Sequence, residues 1–218
     1  MNSSEILDLW RKEVDDTASP FLWSDEEAFS YLDDAQTMFC RKTDGIADAT
    51  TDAVTRLAVV PTSDALTLHR TVKRIRSARR LDTGRPVEVI SEWQMEDRGW
   101  WFDQRVGPVR ALVIGAEDAK VRVWPVSNET VTIVLTVFRL PLTTITSDGE
   151  QTLEIDEQHH RHLMLWMKHL AYSKHDAETF DKRKAEEFEE RFLKYCAEVQ
   201  LEQRRRRHKP RAVAYGGI

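Results

Sequence analysis

At 218 residues, 41% hydrophobic and 32% charged, the chain has the composition of a globular protein with one good core, or one core and a small satellite. Its longest apolar runs, around 111–114 and 133–135, fall far short of the roughly 20 residues that span a bilayer, and Met1-Asn-Ser-Ser-Glu5 lacks a basic segment followed by an apolar one, so neither membrane insertion nor export is expected. The net charge of −5 hides an asymmetry: six of the 32 basic residues fall in 204–218 without an acid, leaving 26 against 37 acids, or −11, in the rest.

The first predicted helix covers about 4–16, with Ile6, Leu7, Trp10 and Val14 on one side. Ser24, Asp25, Glu26 and Glu27 form a capping box that opens a second helix, whose buried stripe is Ala28, Tyr31, Leu32, Ala35, Met38 and Phe39. The aromatics of 20–23 would close the end of this pair. Between 66 and 145 the pattern turns to period two, and candidate strands lie at 66–75, 86–93, 109–114, 121–124 and 130–138, separated by turn signals such as Asp82-Thr-Gly84. Helical spacing returns after Gly149, first with Leu163, Trp166, Met167, Leu170 and Ala171, then with Ala185, Phe188, Phe192, Tyr195, Cys196 and Val199. Cys40 and Cys196 both fall in helix interiors, which suits reduced, packed thiols.

The expected fold class is α+β: a four-helix bundle of two N-terminal and two C-terminal helices, an inserted small antiparallel β-sandwich or barrel, and an extended C-terminal arm. In residue terms these are the N-terminal half-bundle (1–60), the β-rich insert (61–150), the C-terminal half-bundle (151–203) and the arm (204–218). The arm opens with Arg204, Arg205, Arg206 and Arg207, continues through Lys209 and Arg211, and has Val213, Tyr215 and Ile218 as its sizeable apolar groups. Two glycines raise its ordering cost, so it is expected to take shape only against a partner surface. An acidic partner or nucleic acid would suit it, and a solubilising terminus is the plainer alternative.

Little in the chain points to catalysis. His159, His160, His162 and His169 invite a metal reading, but no cysteine or carboxylate cluster completes a ligand set, and no glycine-rich phosphate loop or nucleophile elbow is present. No catalytic residue, cofactor or metal is therefore assigned. The Asp15-Asp16 and Asp33-Asp34 pairs read as solvated acids. Trp100, Trp101 and Phe102, following Arg98, read either as a plug over the sheet or as a subunit or tail interface.

Several segments together resemble the head-to-tail adaptor, or connector, proteins of tailed bacteriophages. They are 6–16, 22–27 with 31–36, 75–79 with 82–86, Val123-Trp-Pro-Val126, Phe138-Arg-Leu-Pro-Leu142, and 165–166 with 170–181. The resemblance implies a virion neck subunit, made in the host cytoplasm. It would form a dodecameric ring beneath the portal protein, extend the DNA channel and offer a docking surface to other tail or neck proteins. It implies that 204–218 reaches onto the portal, and that the insert, with Trp100 and Trp101, faces the next tail component. The competing reading is a nucleic-acid-binding protein anchored by the basic arm.

Overall fold

The computed structural model describes residues 1–100, 105–147, 150–176 and 178–207. The chain forms two compact units, one of Met1–Asp44 with Thr143–Ile218 and the other of Gly45–Leu142. The helices are α1 (Ser3–Glu13), α2 (Asp25–Lys42), α3 (Asp52–Thr55), α4 (Glu92–Asp97), α5 (His160–Ser173) and α6 (Lys182–Arg207), with α3 and α4 in the second unit. The strands are β1 (Ile46–Asp48), β2 (Arg56–Val59), β3 (Ala65–Thr67), β4 (Val72–Arg80), β5 (Pro86–Ser91), β6 (Val106–Gly107), β7 (Ala111–Ile114), β8 (Lys120–Trp124), β9 (Val126–Ser127) and β10 (Val131–Arg139).

In the helical unit, α1 and α2 each begin with a reciprocal capping box, Asn2 with Glu5 and Ser24 with Glu27, which satisfies orphan backbone donors at both starts. Arg11 holds the turn between them. Its guanidinium donates to the carboxylates of Asp16 and Asp25 and to the Trp23 carbonyl, while Asp16 accepts the Leu22 amide at 2.8 Å. Trp23 is thereby seated edge-on against Trp10 and Tyr172, at centroid distances of 5.4 and 6.0 Å.

Helix α5 packs against α1, α2 and α6. Its Leu163, Met164, Trp166, Met167 and Ala171 are buried, and the Trp166 indole N–H donates to Asp34 at 2.7 Å. Imidazoles join α5 to α6: His159 Nδ1 lies 2.7 Å from the Tyr195 hydroxyl, the His162 ring stacks on Tyr195 at 3.5 Å, and His169 Nδ1 lies 3.0 Å from the Ala185 carbonyl. Burial lowers the His159 and His162 pKa values and raises those of Tyr195 and Cys196, the Cys196 thiol to about 12.

In the second unit, one sheet runs in the order β1-β10-β4-β5-β7-β8-β3, with β2 also on β10. Strands β1 and β2 share one edge of β10, β2 on Val131 to Val134 and β1 on Val137 to Arg139, while β4 takes the other edge. All these pairings are antiparallel except β5 with β7, and β6 and β9 form a separate parallel ribbon. The sheet curls around a core that includes Leu57, Val59, Ile75, Ala78, Leu112, Val123, Ile133, Leu135 and Val137. On the opposite face, Met95 of α4 and Trp100 cover Ile90, Ala111, Val113 and Trp124. Arg139 closes β10 onto β1, its Nε 2.6 Å from Asp48 Oδ2, with both side chains buried. Burial alone would raise the Asp48 carboxyl. The Thr51 amide, the Arg139 guanidinium and the Thr50 amide together hold it well below the usual carboxylate range.

The expected four-helix bundle with a small antiparallel sandwich or barrel does not hold. The described residues contain six helices and a curled, half-barrel-like mixed sheet of eight strands. The strand expected at 66–75 is two strands, and the one expected at 86–93 ends at Ser91, where a Ser91–Gln94 capping box starts α4. Of the acids read as solvated, Asp15 and Asp34 are exposed, although Asp34 accepts the Trp166 indole N–H, whereas Asp16 is buried on Arg11 and half-buried Asp33 accepts the Gln36 side chain and the Ile145 amide.

Arg139→Ala would leave the Asp48 carboxylate buried without its cation, so a loss of about 3–5 kcal/mol in urea unfolding is expected. Arg122→Ala, which breaks the exposed Arg122–Asp64 pair, should cost less than about 1 kcal/mol. The neutral imidazoles carry a pH signature. Because His159 and His162 have folded-state pKa values below the unfolded value of about 6.5, the unfolded chain takes up protons first, and stability falls as pH drops through that value. The urea midpoint should therefore fall between about pH 7.5 and pH 5.5, and His159→Gln/His162→Gln should flatten that dependence.

Candidate functional site

Two surfaces stand out from the sequence, the end of α6 and the region around Trp100. Helix α6 has 26 residues, roughly 39 Å at 1.5 Å per residue. Its apolar stripe of Ala185, Phe192, Cys196 and Val199 is buried, and Phe192 meets Trp166 at 5.1 Å. The last tie before the arginines is Gln203, whose Oε1 accepts the Asp44 amide at 3.0 Å. Arg204, Arg205 and Arg206 follow on exposed helix, and Arg207 is its last residue. The cations thus stand on a helix whose base is gripped by α5 and by the chain just after α2. The exposed guanidinium groups of Arg204, Arg205 and Arg206 give this end of the helix a positive surface suited to anions. Lys209, Arg211, Val213, Tyr215 and Ile218 lie outside the described residues.

Trp100 is engaged within its own unit. Its ring stacks on Trp124 at 3.7 Å and 3° between planes, with the Arg98 guanidinium 4.8 Å from the Trp100 ring. Arg98 in turn makes a two-pronged contact to Glu88, both bonds 2.8 Å, which raises the Arg98 pKa and lowers that of Glu88. Trp101 and Phe102 lie outside the described residues. The exposed aromatic here is Trp93 of α4, 70% accessible and not singled out from the sequence. Ser91 and Gln94, spaced as a capping box, were the local signal that could have placed Trp93 on a helix rather than a strand.

The histidines do not converge on a metal. His159 and His169 meet the groups described above, His160 Nε2 lies 2.8 Å from the Ile155 carbonyl, and His162 stacks on Tyr195. Among the described residues no group of three or more His, Cys, Asp or Glu is arranged to hold an ion. Nor is any helix among them long and apolar enough to cross a membrane.

The sequence reading overlooked a basic feature on β4, where Lys73, Arg74, Arg76, Arg79 and Arg80 fall within nine residues. Arg80 is held by Asp82 and Glu129, whereas Arg79 lines an open cleft of about 450 Å³ with Arg56, Leu81 and Val134.

Comparison with known proteins gives a family match along almost the whole chain, residues 1–214, to the family described as SU10 adaptor protein. No curated protein matches the chain. A match of that extent takes in the helices, the curled sheet and most of the basic terminus together, and the chain therefore belongs to the SU10 adaptor protein family, a family of phage head–tail adaptors.

Proposed function

We propose that the protein is a ring-forming head-to-tail adaptor of the virion neck that sits beneath the portal, extends the DNA channel and presents a surface on which tail components dock. The observation that carries this reading is the family match over 1–214, which spans both units and reaches into the basic terminus. The exposed Arg204, Arg205 and Arg206 on an anchored helix support a docking role for that terminus, with Arg207, Lys209 and Arg211 extending the charge and Val213, Tyr215 and Ile218 supplying apolar contacts to the portal. Charged groups of this kind speed encounter and fix register, while buried apolar anchors slow dissociation.

Repetition does the rest. In a ring each subunit's arm needs only modest affinity, because a portal that already holds some subunits raises the effective concentration for the next lateral contact. The ring is dodecameric in this reading, and DNA passes through it transiently.

Electron microscopy of the cognate portal mixed with the full chain or with a chain ending at Gln203 tests the arm. Full-length protein should decorate the portal with complete rings, and the truncated form should lose most of that occupancy. Equal occupancy by both would remove 204–218 from the mechanism.

A further inference from the structure

A regular strand shows alternate residues to each face, but β4 does not. Its inward residues, Val72, Ile75 and Ala78, recur every third position. The register with β10 explains why: Thr136 pairs with Ser77 but Val137 with Ile75, and Phe138 pairs with Arg74 but Arg139 with Val72. Arg76 and Lys73 are the extra residues of two successive bulges. Each bulge adds a side chain to the outward face, and both additions are cations. Among the described residues no ion pair engages Arg76 or Arg79, and both are exposed.

The opposite charge is concentrated elsewhere in the same chain. Residues 1–44 hold 11 acids and four bases, a net of −7. Part of that charge is met within the unit, since Arg11 is buried against Asp16 and Asp25, Lys168 pairs with Glu13 and Lys174 with Glu27. Asp8, Asp15 and Glu26 are exposed and, among the described residues, engaged by no ion pair.

We propose that the outward face of β4, centred on Arg76 and Arg79, is one half of a lateral contact whose other half is the acidic α1–α2 pair of a second copy of this chain. The inference rests on the ring reading above. A two-fold contact through either face would set like charge against like. Head-to-tail pairing sets opposite charges together and leaves one half of each kind open on every growing assembly, which is the condition for a closed ring. Nucleic acid fits less well, because the unit holding β4 carries 14 bases and 12 acids in 45–142, and Asp52, Asp82 and Glu129 flank the cation row. Exposed ion pairs of this type are individually weak and salt-sensitive, which suits subunits that separate until a portal gathers them.

Sedimentation velocity of the full-length chain tests the contact. At about 50 mM salt the wild type should self-associate with rising concentration, at least about tenfold more tightly than at about 500 mM. R76E/R79E and D8K/D15K/E26K should each stay monomeric while keeping the wild-type far-UV spectrum and melting curve. An equimolar mixture of the two should associate again, because every contact in an alternating ring then pairs opposite charges. The proposal is overturned by a wild type that stays monomeric at millimolar concentration, by variants that associate like wild type, by a mixture that fails to recover, or by R76E/R79E losing only duplex DNA binding. If R76E/R79E still forms complete rings on the portal, this contact falls and the ring reading survives. If the wild type itself forms none, the ring reading falls.

Discussion

Helix α5 is the element on which the helical unit depends. The apolar stripes of α1 and α2 come from the first 44 residues and that of α6 from the last 40, and α5 packs against all three. Fully burying a Leu or Met side chain contributes about 1.5–3 kcal/mol, and Leu163 and Met167 are both completely inaccessible. Polar bonds then favour one packing among many: the Trp166 indole N–H is satisfied by Asp34, and His159 Nδ1 by the Tyr195 hydroxyl. A chain that leaves this unit after Asp44 and returns at Thr143 must bring its ends together before either stripe is buried. That coupling gives α6 a firm base, and so gives the arginines at its end a fixed origin.

The sheet solves a different problem. A single curled sheet encloses its own core, and α4 with Trp100 covers part of the other face. Around β10 and β4 that outer face stays open, with Thr132, Val134 and Thr136 half-exposed between Arg56 on one side and Ser77 and Arg79 on the other. The two bulges sharpen the twist of β4 while doubling its outward cations, so one irregularity serves both curvature and surface charge. Buried Arg139 and Asp48 then tie the end of β10 to the short strand β1, which by itself offers too little apolar area to stay in place.

What could be read in advance follows the range of each signal. Capping is local, and the Ser24–Glu27 box appears as expected. The stripes of Ile6, Leu7, Trp10 and Val14 and of Ala185, Phe192, Cys196 and Val199 also stand in the structure, because helical burial follows a period visible within one segment. Strand β4 defeats the same logic, since its period of three belongs to neither a helix nor a flat strand and is created by register with β10, over 50 residues away. Strands β1 and β2 are too short to show a pattern at all. The contacts of these acids escape the sequence for a related reason: what engages the exposed Asp34 is Trp166, 132 positions distant, and no local pattern carries that pairing. The arginines that end α6 are plain in the sequence as four in a row, whereas the five cations of β4 are spread over nine residues of a strand that does not alternate.

Native-state hydrogen exchange across the full chain reads directly whether the two chain segments of the helical unit form one cooperative body that fixes the base of the arginine-bearing helix. The slowest amides of α2, α5 and α6 should then open with a common free energy, and Met167→Ala should lower all three together. Protection in α6 lost several kcal/mol before that in α2, and unmoved by the same substitution, would contradict it.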